Sequence, residues 1–148
     1  MSDYADGLRA FEQGKLDRAL ALFSAAIAAG DDIANAYSKR GVCRVRQGDP
    51  QEAERDFRAA LTADERCLSA IVNLGNLMLE RGDLKEARLY YAQALRIDET
   101  YAVAHYNFGV LLRREGDIAG SVHELRLAAK YEARPAAARN RLSFWKRR

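Results

Sequence analysis

Small and apolar residues recur in this chain at helical spacing, and then the whole block recurs. Ala19, Phe23 and Ala26 stand four and three residues apart, the separation that places side chains on one face of a helix. The trio returns as Ala53, Phe57 and Ala60, as Ala87, Tyr91 and Ala94, and as Ser121, Leu125 and Ala128, each 34 residues after the last. Glycine keeps the same period in two columns. Gly7, Gly41, Gly75 and Gly109 form the first, and Gly14, Gly48, Gly82 and Gly116 follow each by seven residues, so eight of the ten glycines are in register. No insertion or deletion breaks the phase. Such a period predicts a repeat architecture.

Within a repeat the pattern predicts two helices, at about 35–47 and 50–63 in the second. Gly48 suits the left-handed position that ends a helix. Asp49-Pro50-Gln51-Glu52 then supplies an N-cap, a proline at the first helical position and a capping-box acid. Asp83-Leu84-Lys85-Glu86 repeats the box, whereas Asp117-Ile118-Ala119-Gly120 lacks its Glu. Gly41, Gly75 and Gly109 fall inside helices, where glycine costs about 1 kcal/mol relative to alanine. A cost repeated in register implies that a facing helix comes too close for a Cβ, and Ala53, Ala60, Ala87 and Ala94 serve the same approach. One helix pair cannot bury its own apolar face, so the pairs must stack. The expectation is an all-α, right-handed α-solenoid of antiparallel helix pairs with a concave side. It forms a single domain over 1–148, with repeats at about 1–33, 34–67, 68–101 and 102–135. The phase continues beyond Pro135, where Ala138, Leu142, Ser143 and Trp145 keep the first-helix register, and predicts a capping helix at 136–148.

These columns resemble the tetratricopeptide-repeat (TPR) family. Ile71, Leu74, Gly75, Met78, Ala87, Tyr91 and Ala94 fill the family's signature positions in the third repeat, and His105, Phe108, Gly109, Leu112, Ser121, Leu125 and Ala128 fill them in the fourth. The second supplies Tyr37, Arg40, Gly41, Arg44, Ala53, Phe57 and Ala60, and the first Gly7, Ala10, Ala19, Phe23 and Ala26. The signature proline is absent from every repeat, and Arg40 and Arg44 occupy two usually apolar positions.

Charge and candidate chemistry narrow the function. The net charge is +3, but six of the cations lie from Arg134 onward with no acid among them, which leaves the first 133 residues with three more acids than bases. A body of that sign argues against nucleic acid as partner of the whole chain. No apolar run approaches the roughly 20 residues of a membrane helix. The acidic opening, Met1 to Asp6, carries no hydrophobic leader, which points to a cytoplasmic protein. Cys43 and Cys67 form no ligand motif and read as small hydrophobes. His105 sits at a packing position, and His123 has no companions for a metal site. No phosphate loop, nucleophile motif or dinucleotide fingerprint occurs. The expectation is a non-catalytic protein without cofactor or metal.

The resemblance implies that a partner binds in the groove lined by the first helix of each pair. Carried over by position, the groove residues include Lys39, Val42, Arg46, Val72, Asn73, Asn76, Tyr106, Asn107, Val110, Arg113, Arg114 and Arg141. Asn73 and Asn107 are equivalent one repeat apart. A primary amide offers two donors and an acceptor, which match the N–H and C=O of an extended peptide. Val72, Tyr106 and Val110 would take side chains. Lys39, Arg113, Arg114 and Arg141 would favour acidic or carboxylate-bearing segments. Chaperone-binding relatives clamp an acidic C-terminus with lysines that this chain lacks: its best phase offers Val72, Asn76, Asn107, Ala137 and Arg141. The leading expectation is a protein-interaction adaptor that binds a peptide or protein segment. Two other readings stay open. One is a self-assembling homo-oligomeric scaffold, and the other is a basic tail directed to anionic membrane or nucleic acid.

Overall fold

A computed structural model describes residues 2–132; the expected capping helix at 136–148 lies outside them. Those residues form eight helices and no strand: α1 (Asp3–Glu12), α2 (Leu16–Ala29), α3 (Ile33–Arg46), α4 (Pro50–Ala63), α5 (Leu68–Arg81), α6 (Leu84–Ile97), α7 (Ala102–Arg114) and α8 (Ile118–Glu132). The chain divides into two compact units, Met1–Asn73 and Leu74–Arg148, with the division inside α5.

The turn within each helix pair is one device used four times. Gly14, Gly48, Gly82 and Gly116 all lie at φ between 75° and 87°. The residue after each glycine donates its N–H back across five residues, as in Asp49 to the Arg44 carbonyl at 2.8 Å and Asp83 to the Met78 carbonyl at 2.9 Å. That bond closes the end of the first helix and needs the left-handed residue, which glycine adopts without a Cβ clash. In the last three pairs the second helix then opens on a carboxylate, whereas α2 has Lys15 at its N-cap and no side-chain cap. Asp49, Asp83 and Asp117 accept from the N–H groups of Glu52, Glu86 and Gly120 at 3.2, 3.2 and 2.8 Å. Loss of the box acid in the fourth repeat therefore leaves its N-cap intact.

In the N-terminal unit α1 packs on α2, α2 on α3 and α3 on α4. The mid-helix glycines are where the pairs come closest. A Cβ on Gly7 would lie 2.6 Å from the Phe23 ring, and one on Gly41 would lie 2.5 Å from the Phe57 ring. Both phenylalanines are fully buried, among Ala19, Ala26, Ala53 and Ala60. α3 begins at Ile33, two residues ahead of the sequence expectation. Its N-cap Asp32 takes a left-handed φ of 46° two residues after Gly30, at φ 75°, and this tightens the turn from α2.

The C-terminal unit repeats the scheme. α6 packs on α7 and α7 on α8. A Cβ on Gly75 would lie 2.6 Å from the Tyr91 ring, and one on Gly109 would lie 2.9 Å from Leu125 Cγ. Leu74, Leu77, Ala87, Tyr91, Ala94 and Leu111 are fully buried or nearly so.

Candidate binding surface

The first helices α1, α3, α5 and α7 carry the expected surface residues, and the structure sorts them. In the N-terminal unit Lys39 and Arg46 lie half-buried on α3. Both rest over Phe11 of α1, with Lys39 Nζ 5.9 Å and Arg46 Cζ 5.7 Å from the ring centre. Asn73, also half-buried, donates from Nδ2 to Ser38 Oγ at 3.4 Å, and Ser38 accepts a second bond from Ser69 Oγ at 2.8 Å. In the C-terminal unit Tyr106, Asn107 and Val110 are half-buried, and Arg113 and Arg114 are exposed. The Arg114 guanidinium donates to the Leu79 carbonyl at 2.8 Å, which also accepts from the Gly82 N–H at 3.1 Å, and the C-terminal end of α5 attracts a cation. Arg141 and the basic tail lie outside the described residues.

Three residues of the expected surface belong to the interior instead. Val42 is 4% exposed and Val72 is 1% exposed, so neither offers a side chain to a ligand. Asn76 is 3% exposed, and its Oδ1 accepts the Tyr91 hydroxyl at 2.6 Å. The reason is steric and chemical together. Tyr91 stands where the first two repeats have Phe23 and Phe57, and its hydroxyl reaches the α5 position held elsewhere by Leu8, Val42 and Val110. A buried hydroxyl needs an acceptor, and Asn76 is that acceptor. Burial moves the Tyr91 phenol above its ordinary range.

Two polar clusters were not anticipated. Arg40 forms a bidentate pair with Asp56 of α4, Nε to Oδ2 at 3.0 Å and Nη2 to Oδ1 at 2.8 Å, and its Nη1 donates to Ser24 Oγ of α2 at 3.1 Å. Arg44 reaches Asp56 at 3.0 Å and Glu52 at 3.5 Å. Arg40 and Arg44, foreign to the apolar pattern, thus share a carboxylate that is itself buried. The hydrogen bond to Asp56 raises the Arg40 pKa against the opposing effect of burial. The second cluster surrounds buried His105. Its Nδ1 faces Glu124 Oε2 at 2.6 Å, its Nε2 donates to the Glu99 carbonyl at 2.7 Å, and its ring stacks on Tyr131 at 5.5 Å. The available signal was the register: Asp56 and Glu124 share one column of the repeat, which holds Leu22 and Tyr90 in the other two.

Cys43 is fully buried, and desolvation pushes its thiol up to about 12. Among the described residues no group of three or more His, Cys, Asp or Glu is placed to hold a metal ion, and no helix is long and apolar enough to cross a membrane.

Comparison with known proteins places this geometry. Residues 32–100 match the family model described as tetratricopeptide repeat. No curated protein matches the sequence. Among solved structures, TTC0263, a thermophilic TPR protein of Thermus thermophilus, superposes with a TM-score of 0.80 at 21% identity, covering 99% of this chain and 82% of its own. MamA gives 0.68 at 17% identity, with coverage of 91% and 79%. A tetratricopeptide repeat protein from Parabacteroides merdae gives 0.67 at 19% identity and covers 97% of this chain, which spans 57% of that one. At these identities the likeness is one of fold: an all-α solenoid of helix pairs.

Proposed function

We propose that this chain, whose residues 32–100 match the tetratricopeptide-repeat family model and whose fold is that of the solved TPR proteins, is a non-catalytic interaction module whose first helices bind an extended peptide or protein segment. The fold is in general a protein-interaction scaffold. One observation carries the finer reading. Asn73 and Asn107 hold the same repeat position on α5 and α7, and both are half-buried outside the core, Asn73 between buried Val72 and Leu74 and Asn107 between half-buried Tyr106 and Phe108. An amide kept at the surface at a fixed helical position retains donors and an acceptor for peptide backbone. Tyr106 and Val110, half-buried beside Asn107, supply apolar area in the C-terminal unit. Val42, Val72 and Asn76 have no part in the surface.

The test is calorimetric affinity for a partner segment, mapped by cross-linking and then synthesised, with circular dichroism to verify folding. Each net hydrogen bond contributes about 0.5–1.5 kcal/mol. Asn73→Ala with Asn107→Ala is therefore expected to weaken binding on the order of ten- to thirty-fold. Wild-type affinity in the folded double variant would remove the amides from the reading.

A further inference from the structure

Two seams show how one helix pair receives the next. In the C-terminal unit the Tyr91 ring of α6 stands 6.4 Å from the Phe108 ring of α7, and the Arg88 guanidinium lies over that same ring at 5.4 Å. In the N-terminal unit Cys43 of α3 is buried in one cluster with Ala10, Ala19 and Phe23 of the preceding pair. Carried forward by the 34-residue period, Arg88 and Tyr91 become Val122 and Leu125 on α8, and the cluster becomes Leu112, Ser121 and Leu125. No first helix follows α8 among the described residues. Leu125 is accordingly half-buried, whereas Phe23, Phe57 and Tyr91 of its column are fully buried. Val122 is 41% exposed, and Ile118, one turn earlier, is 59% exposed.

The residues that follow α8 carry the matching set. Leu142 stands one period after Phe108, and Trp145 takes the column of Cys43, Leu77 and Leu111, all of them buried. Ala138 continues Ala36, Ala70 and Ala104, which are fully buried. Spacings of four and three residues put Ala138, Leu142 and Trp145 on one face of a helix. The other columns sort the opposite way. Some first-helix positions turn to the second helix of their own pair: His105 meets Glu124, Gly41 makes room for Phe57, and Arg44 reaches Asp56. Those columns hold Arg139, Ser143 and Lys146 after α8, all polar. The segment is therefore apolar where it would meet the preceding helix and polar where it would meet a following one. Size agrees as well. Leu125 is smaller than the rings of its column and Trp145 is larger than the residues of its own, an exchange that close packing demands.

We propose that residues 136–148 dock on α8, with Leu142 against Val122 and Leu125 and the Trp145 indole between Leu112 and Leu125. The chain thereby fills this seam itself and closes it to a second copy. The inference is independent of where a partner segment binds.

Trp145 is the only tryptophan, so its fluorescence in the unmodified full-length protein reads the contact. The expected result is a blue-shifted emission and acrylamide quenching several-fold weaker than in a synthetic peptide of residues 136–148, at every protein concentration. Val122→Asp sets a carboxylate in the apolar contact and raises the quenching toward that of the peptide. Leu89→Asp, at a still more exposed position on α6, leaves the indole protected. Circular dichroism checks that both variants fold. An indole quenched in the wild type as in the peptide overturns the proposal. So does protection that survives Val122→Asp unchanged or falls equally in the two variants. Protection that appears only as the protein is concentrated assigns the seam to a second copy and overturns it too.

Discussion

The Tyr91–Asn76 pair offers a stringent check on how this chain fits polar atoms into its core. Its hydroxyl-to-amide bond is 2.6 Å long and both residues are buried. Asn76→Val leaves the hydroxyl without its acceptor. Tyr91→Phe leaves the amide oxygen without its donor. Stranding one buried partner costs about 1–3 kcal/mol, whereas replacing both by apolar groups of similar shape is nearly neutral. The double variant recreates the Phe57 and Val42 combination that the second repeat already uses. It is expected within about 1 kcal/mol of wild type, so the coupling between the two sites should be about 2 kcal/mol or more. For a chain of this size about 1 kcal/mol corresponds to roughly 3 °C in melting temperature. Urea unfolding followed by circular dichroism, with the slope held common to the four proteins, measures the cycle. Losses that simply add in the double variant would refute the claim that Asn76 is buried to serve Tyr91.

Other outcomes follow from the same geometry. Gly41→Ala, whose Cβ would meet Phe57 at 2.5 Å, should cost about 1–3 kcal/mol in urea unfolding by overpacking; unchanged stability would contradict the close approach. Asp56→Asn removes the carboxylate that Arg40 and Arg44 share, leaving Arg40 with Ser24 and Arg44 with Glu52, and should cost about 1–3 kcal/mol, while Arg40→Leu, Arg44→Met and Asp56→Tyr together, the third-repeat residues, should recover most of it in the same assay. Cys43 should resist a thiol reagent in the native protein and react once unfolded. Because its folded pKa is raised from 9.0 to about 12, the associated stability is complete below about pH 9 and is lost as pH rises toward 12. Urea midpoints between pH 8 and 11 should therefore fall less in Cys43→Ala than in wild type.

Most of the fold was legible because backbone demands repeat. Gly48 and Asp49 announce a left-handed turn and an N-cap whatever surrounds them, and a glycine inside a helix at Gly41 or Gly75 has few explanations besides a facing ring. The candidate surface was less legible. A first-helix position faces ligand or core according to what packs against it: Val42 and Asn76, one repeat apart, are both buried, and the Tyr91 hydroxyl gives the amide a partner there. Arg40 and Arg44 looked like breaks in the apolar pattern because their compensation, Asp56, lies in the following helix. Each becomes readable when columns are compared in pairs: Tyr91 with Asn76, Arg40 with Asp56, His105 with Glu124. The early start of α3 came from the left-handed Asp32, a conformation that an Asp permits but does not signal.

The most direct test of the binding account is a photo-cross-linking map. Benzoylphenylalanine is introduced singly as Tyr106→benzoylphenylalanine on α7, and at Leu89 on α6 and Val122 on α8, which are 62% and 41% exposed. The proteins are then irradiated in their native cell and the adducts sequenced. The account predicts a discrete adduct from position 106, mapped to one segment of a partner, and no partner adduct from positions 89 and 122. Partner adducts confined to positions 89 or 122 would place the partner on the second helices and contradict it.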